Sequence, residues 1–160
     1  MTIDTAVILA AGEGSRLTPL TEYRPKPMLP AINRPILEYV LDSLIAAEID
    51  HIHVVVGYRA TRVQSHFGPY YRGHELTYHR QETRLGSGHA LLQVRDAIDD
   101  DFLVVNGDEV TADRMVRAVV EAHAPDRLAT LAVIESEEAR HYGAVRLRGT
   151  TVEEFVERPA

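Results

Sequence analysis

The densest chemistry in the chain lies in residues 9–30, LAAGEGSRLTPLTEYRPKPMLP. After Leu9, which ends an apolar strand, Ala10, Ala11, Gly12, Gly14 and Ser15 are small, so the backbone can approach a ligand closely and turn its N–H groups toward anionic oxygens. Arg16 follows in the same loop, and Lys26 comes later between Pro25 and Pro27. The two prolines fix φ and forbid a helix, so the ammonium is aimed from a pinned backbone. Lys26 is also the sole lysine among 17 basic residues, the other 16 being arginine. An ammonium is a compact point charge that arginine's flat fork does not replace at every phosphate site. A strand end, a small-residue loop, an arginine and a stiffly held lysine are the parts of a phosphate site.

Two more loops carry usable chemistry. Residues 81–88, QETRLGSG, form a second glycine-bearing loop, with Ser87 able to cap the helix that follows. Asn106-Gly107-Asp108 ends an apolar run, which lets the Asp108 carboxylate project from a sheet edge. Mg²⁺ bound to phosphates needs only one or two carboxylates plus water. Asn-Gly-Asp is equally good turn chemistry, so a plain turn competes with the metal at this point. Glu109 is expected to point away.

Other chemistries fail on spacing. No lysine follows the glycines as a Walker loop requires, and the third glycine position of a dinucleotide fingerprint is Leu17. No serine sits in a G-x-S-x-G elbow. The eight histidines include no H-x-x-x-H pair, and His51 and His53 are expected to be solvated at a strand start. With no cysteine there is no disulfide, no thiolate zinc site and no cysteine nucleophile.

The elements that must position these loops alternate along the chain. An apolar strand, Ala6 to Leu9, precedes the first loop. Asn33 can cap a helix beginning near Pro35, with Ile36, Leu37, Val40, Leu41, Leu44 and Ile45 on one stripe. Residues 51–57 read as a buried strand, 60–67 as a short helix, 68–73 as a loop packing Tyr70 and Tyr71, and 76–79 as a strand. A helix then carries Ala90, Leu91, Val94, Ala97 and Ile98 inward. Residues 102–105 read as a buried strand. A helix from Thr111 or Asp113 points Met115, Val116, Val119 and Val120 inward. Residues 128–134 read as a strand, and 144–147 with 152–156 as a hairpin about Gly149-Thr150. The alternation predicts an α/β fold: a Rossmann-like three-layer α/β/α sandwich with a mainly parallel sheet, residues 1–160 forming a single domain. Ligands in such folds sit beyond the carboxyl ends of strands, where the three loops can converge.

Bulk properties agree. Net charge is −7, with 24 acidic residues against 17 basic, which argues against a nucleic-acid surface. No run of 18 apolar residues exists to span a membrane, and the N-terminus has no secretory pattern, so a cytoplasmic location is expected.

These residues together resemble the sugar-1-phosphate nucleotidylyltransferase family. LAAGEGSRL-x-PLT-x-x-RPKPMLP is similar to its nucleotide-binding signature, with Ser15 where threonine is common. Gln81 followed by Leu85-Gly86-Ser87-Gly88-His89-Ala90 resembles the base-recognition loop, in the form nearest the uridylyltransferase branch that makes UDP-N-acetylglucosamine, with its archaeal bifunctional relatives. Asn106-Gly107-Asp108 resembles the metal-binding turn. Tyr142-Gly143-Ala144-Val145 and Glu157-Arg158-Pro159 resemble the sugar-side motifs, with Arg158 where lysine is usual. The resemblance implies transfer of a nucleotidyl group from an NTP, UTP favoured and dTTP possible, to a sugar 1-phosphate, with Mg²⁺ and release of pyrophosphate. It implies that Leu9, Ala11, Gly12, Gly14 and Ser87 hold the nucleotide and that Arg16 and Lys26 act on the phosphates. Gln81 and Gly86 would read the base, Asp108 would hold the metal, and Gly143, Glu157 and Arg158 would meet the sugar phosphate. Relative to the family the chain is C-terminally truncated, so a catalytically weak nucleotide-binding module is the alternative. A shortened sheet is expected to leave an apolar edge and to favour homo-oligomers.

Overall fold

A computed structural model describes residues 3–136 and 143–157, with the backbone alone at Glu157. The chain divides into two compact units, Met1–Thr130 and Leu131–Ala160. In the first unit the elements run β1 (Thr5–Ala10), β2 (Pro30–Ala31), β3 (Arg34–Pro35), α1 (Ile36–Ala46), β4 (His51–Val56), α2 (Ala60–Phe67), β5 (Tyr70–Tyr71), β6 (His74–Arg80), α3 (Ser87–Leu91), β7 (Leu103–Asn106) and α4 (Asp113–Ala122).

The sheet order is β5-β6-β4-β1-β7. β6, β4, β1 and β7 are parallel, and only the two-residue β5 is antiparallel. The chain builds outward from β1 to β4 and β6, then returns to place β7 on the other side of β1. The order therefore reverses at β1, and ligand crevices form outside the carboxyl ends of the strands at such a reversal.

The period-two pattern of the strands sorts side chains into two cores. Ala6, Ile8 and Ala10 of β1 and Ile52, Val54 and Val56 of β4 pack with Leu37, Val40, Leu41 and Leu44 of α1, Val63 and Phe67 of α2, and Val116 of α4. Val7 and Val55 point the other way and meet Ala90 and Val94. Helices on both faces of a parallel sheet give the three layers. The buried Leu37, Val40, Leu41 and Leu44 of α1 each contribute on the order of 1.5–3 kcal/mol relative to exposure.

Several local expectations change. Asn33 does not cap α1, whose N-cap position is Pro35. Ile32 and Asn33 both have positive φ, 48° and 66°, and form the two-residue tip between β2 and β3. That is the demand of a hairpin turn, which asparagine meets readily. Tyr70 and Tyr71 lie in β5 rather than in a loop. Ser87 makes no cap bond; Gly86, at φ 95°, is the N-cap of α3. The helix after the second loop is α3 followed by a 3₁₀ turn over Leu92–Val94, so its inward face is shorter than the periodicity implies. Met115 lies outward, 43% exposed, while Val116 is buried. β7 is an edge strand among the described residues, and its Val104 is half-exposed. Residues 128–134 are not a strand: no described strand pairs with them, and Leu128 and Ile134 are largely exposed. An apolar run of strand length does not make a strand without a ladder partner.

In the second unit, β8 (Gly143–Arg148) and β9 (Thr151–Glu157) pair antiparallel with Gly143 opposite Glu157, bulging between Arg146 and Leu147. Gly149, at φ 62°, turns the hairpin. Tyr142, Arg158 and Pro159 lie outside the described residues. Among the described residues no helix is long and apolar enough to cross a membrane.

Candidate active site

The carboxyl ends of β1, β6 and β7 enclose a pocket of about 260 Å³. Leu9, Ala11, Gly12 and Gly14 line one side, Gln81, Gly86 and Ser87 another, and Lys26 and Asp108 a third. Arg16 lies in an exposed 3₁₀ turn over Ser15–Leu17 and is not among the lining residues.

Close backbone packing lets the loops meet. A Cβ on Gly57 would come within 2.9 Å of the Ala11 carbonyl oxygen and 3.2 Å of that of Gln81. One on Gly107 would lie 3.2 Å from the Leu9 carbonyl oxygen. Gly12, by contrast, would meet nothing within 4 Å, so its missing side chain leaves open space rather than a packing contact. Gly14 holds φ 68° and sits against Lys26 and Thr21. Thr21 is buried and its Oγ1 donates to the Gly14 carbonyl at 2.9 Å, fixing the first loop. Sequence reasoning missed both Gly57 and Thr21. Gly57 ends a strand just as Gly107 does, and that parallel was the available signal.

Lys26 begins a 3₁₀ turn whose N-cap is Pro25, with Pro27 buried behind it. Its Nζ lies 2.7 Å from Asp108 Oδ2, and both side chains are more than a third exposed. The two residues singled out by composition and by turn chemistry thus form an ion pair. No bond to the other Asp108 oxygen is found among the described residues. Glu109 instead accepts from the Asn106 side-chain amide at 3.0 Å, outside the pocket lining.

Gln81 is 5% exposed. Its Nε2 donates to the Gly86 carbonyl at 3.1 Å and lies 2.9 Å from His89 Nδ1. A carbonyl accepts only, so the amide nitrogen must face Gly86. That orientation leaves Oε1 as an acceptor with no partner among the described residues. An ion pair between Arg84 and Glu13 ties the second loop to the first.

The donor set fits a magnesium ion held largely by substrate phosphates. One carboxylate with a spare oxygen faces the pocket, and no cluster of three or more His, Cys, Asp or Glu exists among the described residues to cage a metal by protein alone.

Residues 5–160 match the family model described as "Nucleotidyl transferase". The chain is 39% identical over 141 residues to the UTP–glucose-1-phosphate uridylyltransferase AglF of Haloferax volcanii, covering 86% of this chain and 58% of that protein. It is 43% identical over 108 residues to the bifunctional protein GlmU of Methanococcus maripaludis, covering 68% of this chain and 25% of that protein. A crystal structure of a putative glucose-1-phosphate thymidylyltransferase from Bacillus anthracis superposes with a TM-score of 0.81 at 25% identity, over 97% of this chain and 64% of that one. The chain thus spans between a quarter and just under two thirds of the length of these proteins. On the match of nearly its whole length to the family model, it belongs to the nucleotidyl transferase family.

Proposed function

We propose that this chain carries the nucleotide-binding part of a sugar-1-phosphate nucleotidylyltransferase that uses UTP, with dTTP as the second candidate. The observation that carries the reading is the Lys26–Asp108 pair at 2.7 Å, set in a pocket between a small-residue loop and the Gln81 amide. In the reaction, a sugar phosphate oxygen attacks the α-phosphorus in line, and the bond to the bridging oxygen of pyrophosphate breaks. The protein has no covalent role: it positions two anions and offsets their charge. The amides around Ala11, Gly12 and Gly14 support the triphosphate. Lys26 exchanges its carboxylate partner for phosphate oxygens, spanning the attacking and the attacked phosphate. Asp108, released from the lysine, is the residue that would hold Mg²⁺, which when bound neutralises phosphate charge. Arg16, exposed and on the flank of the loop, stabilises the departing pyrophosphate.

Gln81 supports the choice of base. Its free Oε1 accepts from the N3–H of uracil or thymine, whereas cytosine presents an acceptor at that position. The roles of Gly143, Glu157 and Arg158 toward the sugar phosphate rest on the sequence resemblance alone.

The test is pyrophosphate release by the purified chain with Mg²⁺, comparing UTP, dTTP and CTP against glucose 1-phosphate and N-acetylglucosamine 1-phosphate. Turnover with UTP, reduced about tenfold in kcat/KM by Gln81→Leu, is the expected result. The same assay separates a second reading, in which these 160 residues bind nucleotide without turnover. UTP binding with no pyrophosphate release would select that reading.

A further inference from the structure

Eight arginines meet a carboxylate among the described residues, Arg34, Arg72, Arg80, Arg84 and Arg117 among them. Arg24, Arg59 and Arg62 make no ion pair among the described residues, and all three line one depression of about 620 Å³. That volume lies within the range of small-molecule sites. Thr61, Ser65 and His66 complete its polar lining, and no acidic side chain contributes. It shares no lining residue with the nucleotide pocket. The Glu38 carboxylate that His66 meets at 3.0 Å is also engaged by Arg34 at 2.9 Å.

Arg59 adds an independent observation. It occupies the left-handed region, φ 53° and ψ 34°, at the N-cap of α2. Glycine or asparagine would hold that backbone at lower cost, so strain there points to a use for the side chain. The guanidinium donates to the Glu22 carbonyl at 3.3 Å and lies over the Tyr58 ring at 5.5 Å, and the Glu22 carboxylate acts on it from beyond ion-pair distance. Its position is fixed while its charge has no ion-pair partner within 4 Å among the described residues.

We propose that this depression binds a phosphate group, free or as the ester of a small metabolite, at a site separate from the nucleotide pocket. Guanidinium forks grip phosphate bidentately, and the two hydroxyls on α2 add donors. The site is joined to the chemistry through the chain itself. Arg24 stands two residues before Lys26, and the Glu22 carbonyl that receives Arg59 also accepts from the Tyr58 hydroxyl at 2.7 Å. An anion bridging Arg24 to α2 therefore fixes the segment that carries the lysine.

Isothermal titration of the 160-residue chain with inorganic phosphate, and separately with glucose 6-phosphate, tests this without relying on turnover. Binding of either probe is expected to survive Lys26→Ala and to weaken at least about tenfold in Arg62→Glu and in Arg24→Ser. Both substituted arginines are exposed, and thermal melts confirm that the variants remain folded. Tight phosphate with weak ester supports a free-ion site, and the reverse supports a metabolite site. Binding abolished by Lys26→Ala yet unchanged in Arg62→Glu and Arg24→Ser would move the anion to the nucleotide pocket and overturn the proposal. So would the absence of binding by both probes at millimolar concentration.

Discussion

Two charge clusters in the first unit are built on opposite plans. Arg34 is shared between Glu38, at 2.9 Å, and Asp42, at 2.6 Å, both on α1. Tyr71 donates to Asp42 at 3.0 Å, and Arg72 and His66 add further contacts. Burial would raise the Glu38 carboxyl, but its bonds to His66 and Arg34 win and hold it below the usual carboxylate range. Burial and the Asp42 carboxylate push the Tyr71 hydroxyl up. Lys26–Asp108 is a single pair between two loops, with capacity left on both partners. The first cluster ties the β2–β3 hairpin, α1, α2 and β5 together and has little left to offer a ligand. The second is worth about 0–1 kcal/mol as an exposed pair, so the phosphate of the proposed reaction would displace it at small cost. Saturation serves the scaffold, and an unsaturated pair serves the site.

Substitutions can separate the two plans. Lys26→Ala or Asp108→Asn is expected to remove about 2.7–4 kcal/mol of transition-state stabilisation, by analogy with loss of one preorganised donor, read as kcat in the pyrophosphate assay. The urea midpoint should barely move; a large loss of stability would make the pair structural and dissolve the contrast. Gly57→Ala should lower stability by about 1–3 kcal/mol, because the new methyl presses on the Ala11 and Gln81 backbones, and should weaken UTP binding in the same titration. Tyr71→Phe should cost about 1 kcal/mol in urea unfolding and leave the UTP affinity unchanged. Altered affinity would show that the braced cluster is part of the site.

The smallest expected effect lies on the other face of the sheet. His53 Nδ1 and His79 Nε2 are 2.8 Å apart and the rings stack. Burial, with His79 and His51 nearby, lowers the His53 pKa below 6.5, and burial lowers that of His79 despite an opposing backbone hydrogen bond at Gln93. The unfolded chain then binds more protons than the folded one as pH falls below about 6.5. Stability is fully present above that pH, declines through the interval down to the lowered folded values, and levels off beneath them. His79→Gln should flatten the decline in urea midpoints between about pH 7.5 and 5.5 by a few tenths of a kcal/mol. An unchanged slope would remove the pair from the account.

Much of the architecture was legible because hydrophobic period is a strong local signal. Ala60–Phe67 was read to the residue, and α1 was placed within its first turn. The failures share a cause, which is dependence on partners distant in sequence. Residues 128–134 are an apolar run of strand length with no ladder partner among the described residues. His53 was assigned to solvent, but the neighbouring parallel strand brings His79 against it. Asn33 suits a cap and a tight turn equally, and only the pairing of β2 with β3 decides between them. At the site, small residues, a pinned lysine and a carboxylate after a strand are all visible in the string. Their convergence is not: the Lys26–Asp108 contact depends on where β7 inserts. The free acceptor of Gln81 is likewise invisible until Gly86 fixes the amide.

That insertion has a bearing on how the molecule is made. β7 pairs with β1 through contacts such as Ala6 with Leu103, among the most distant pairings in the sheet. Contacts so far apart in sequence are costly to close and tend to form late in folding. Asp108 reaches Lys26 only when that closure is complete. A chain still emerging from the ribosome therefore carries the small-residue loop well before it carries a working pocket. Under the proposed function, nucleotide binding only the closed sheet would favour the final docking step by mass action and link ligand supply to maturation of the protein.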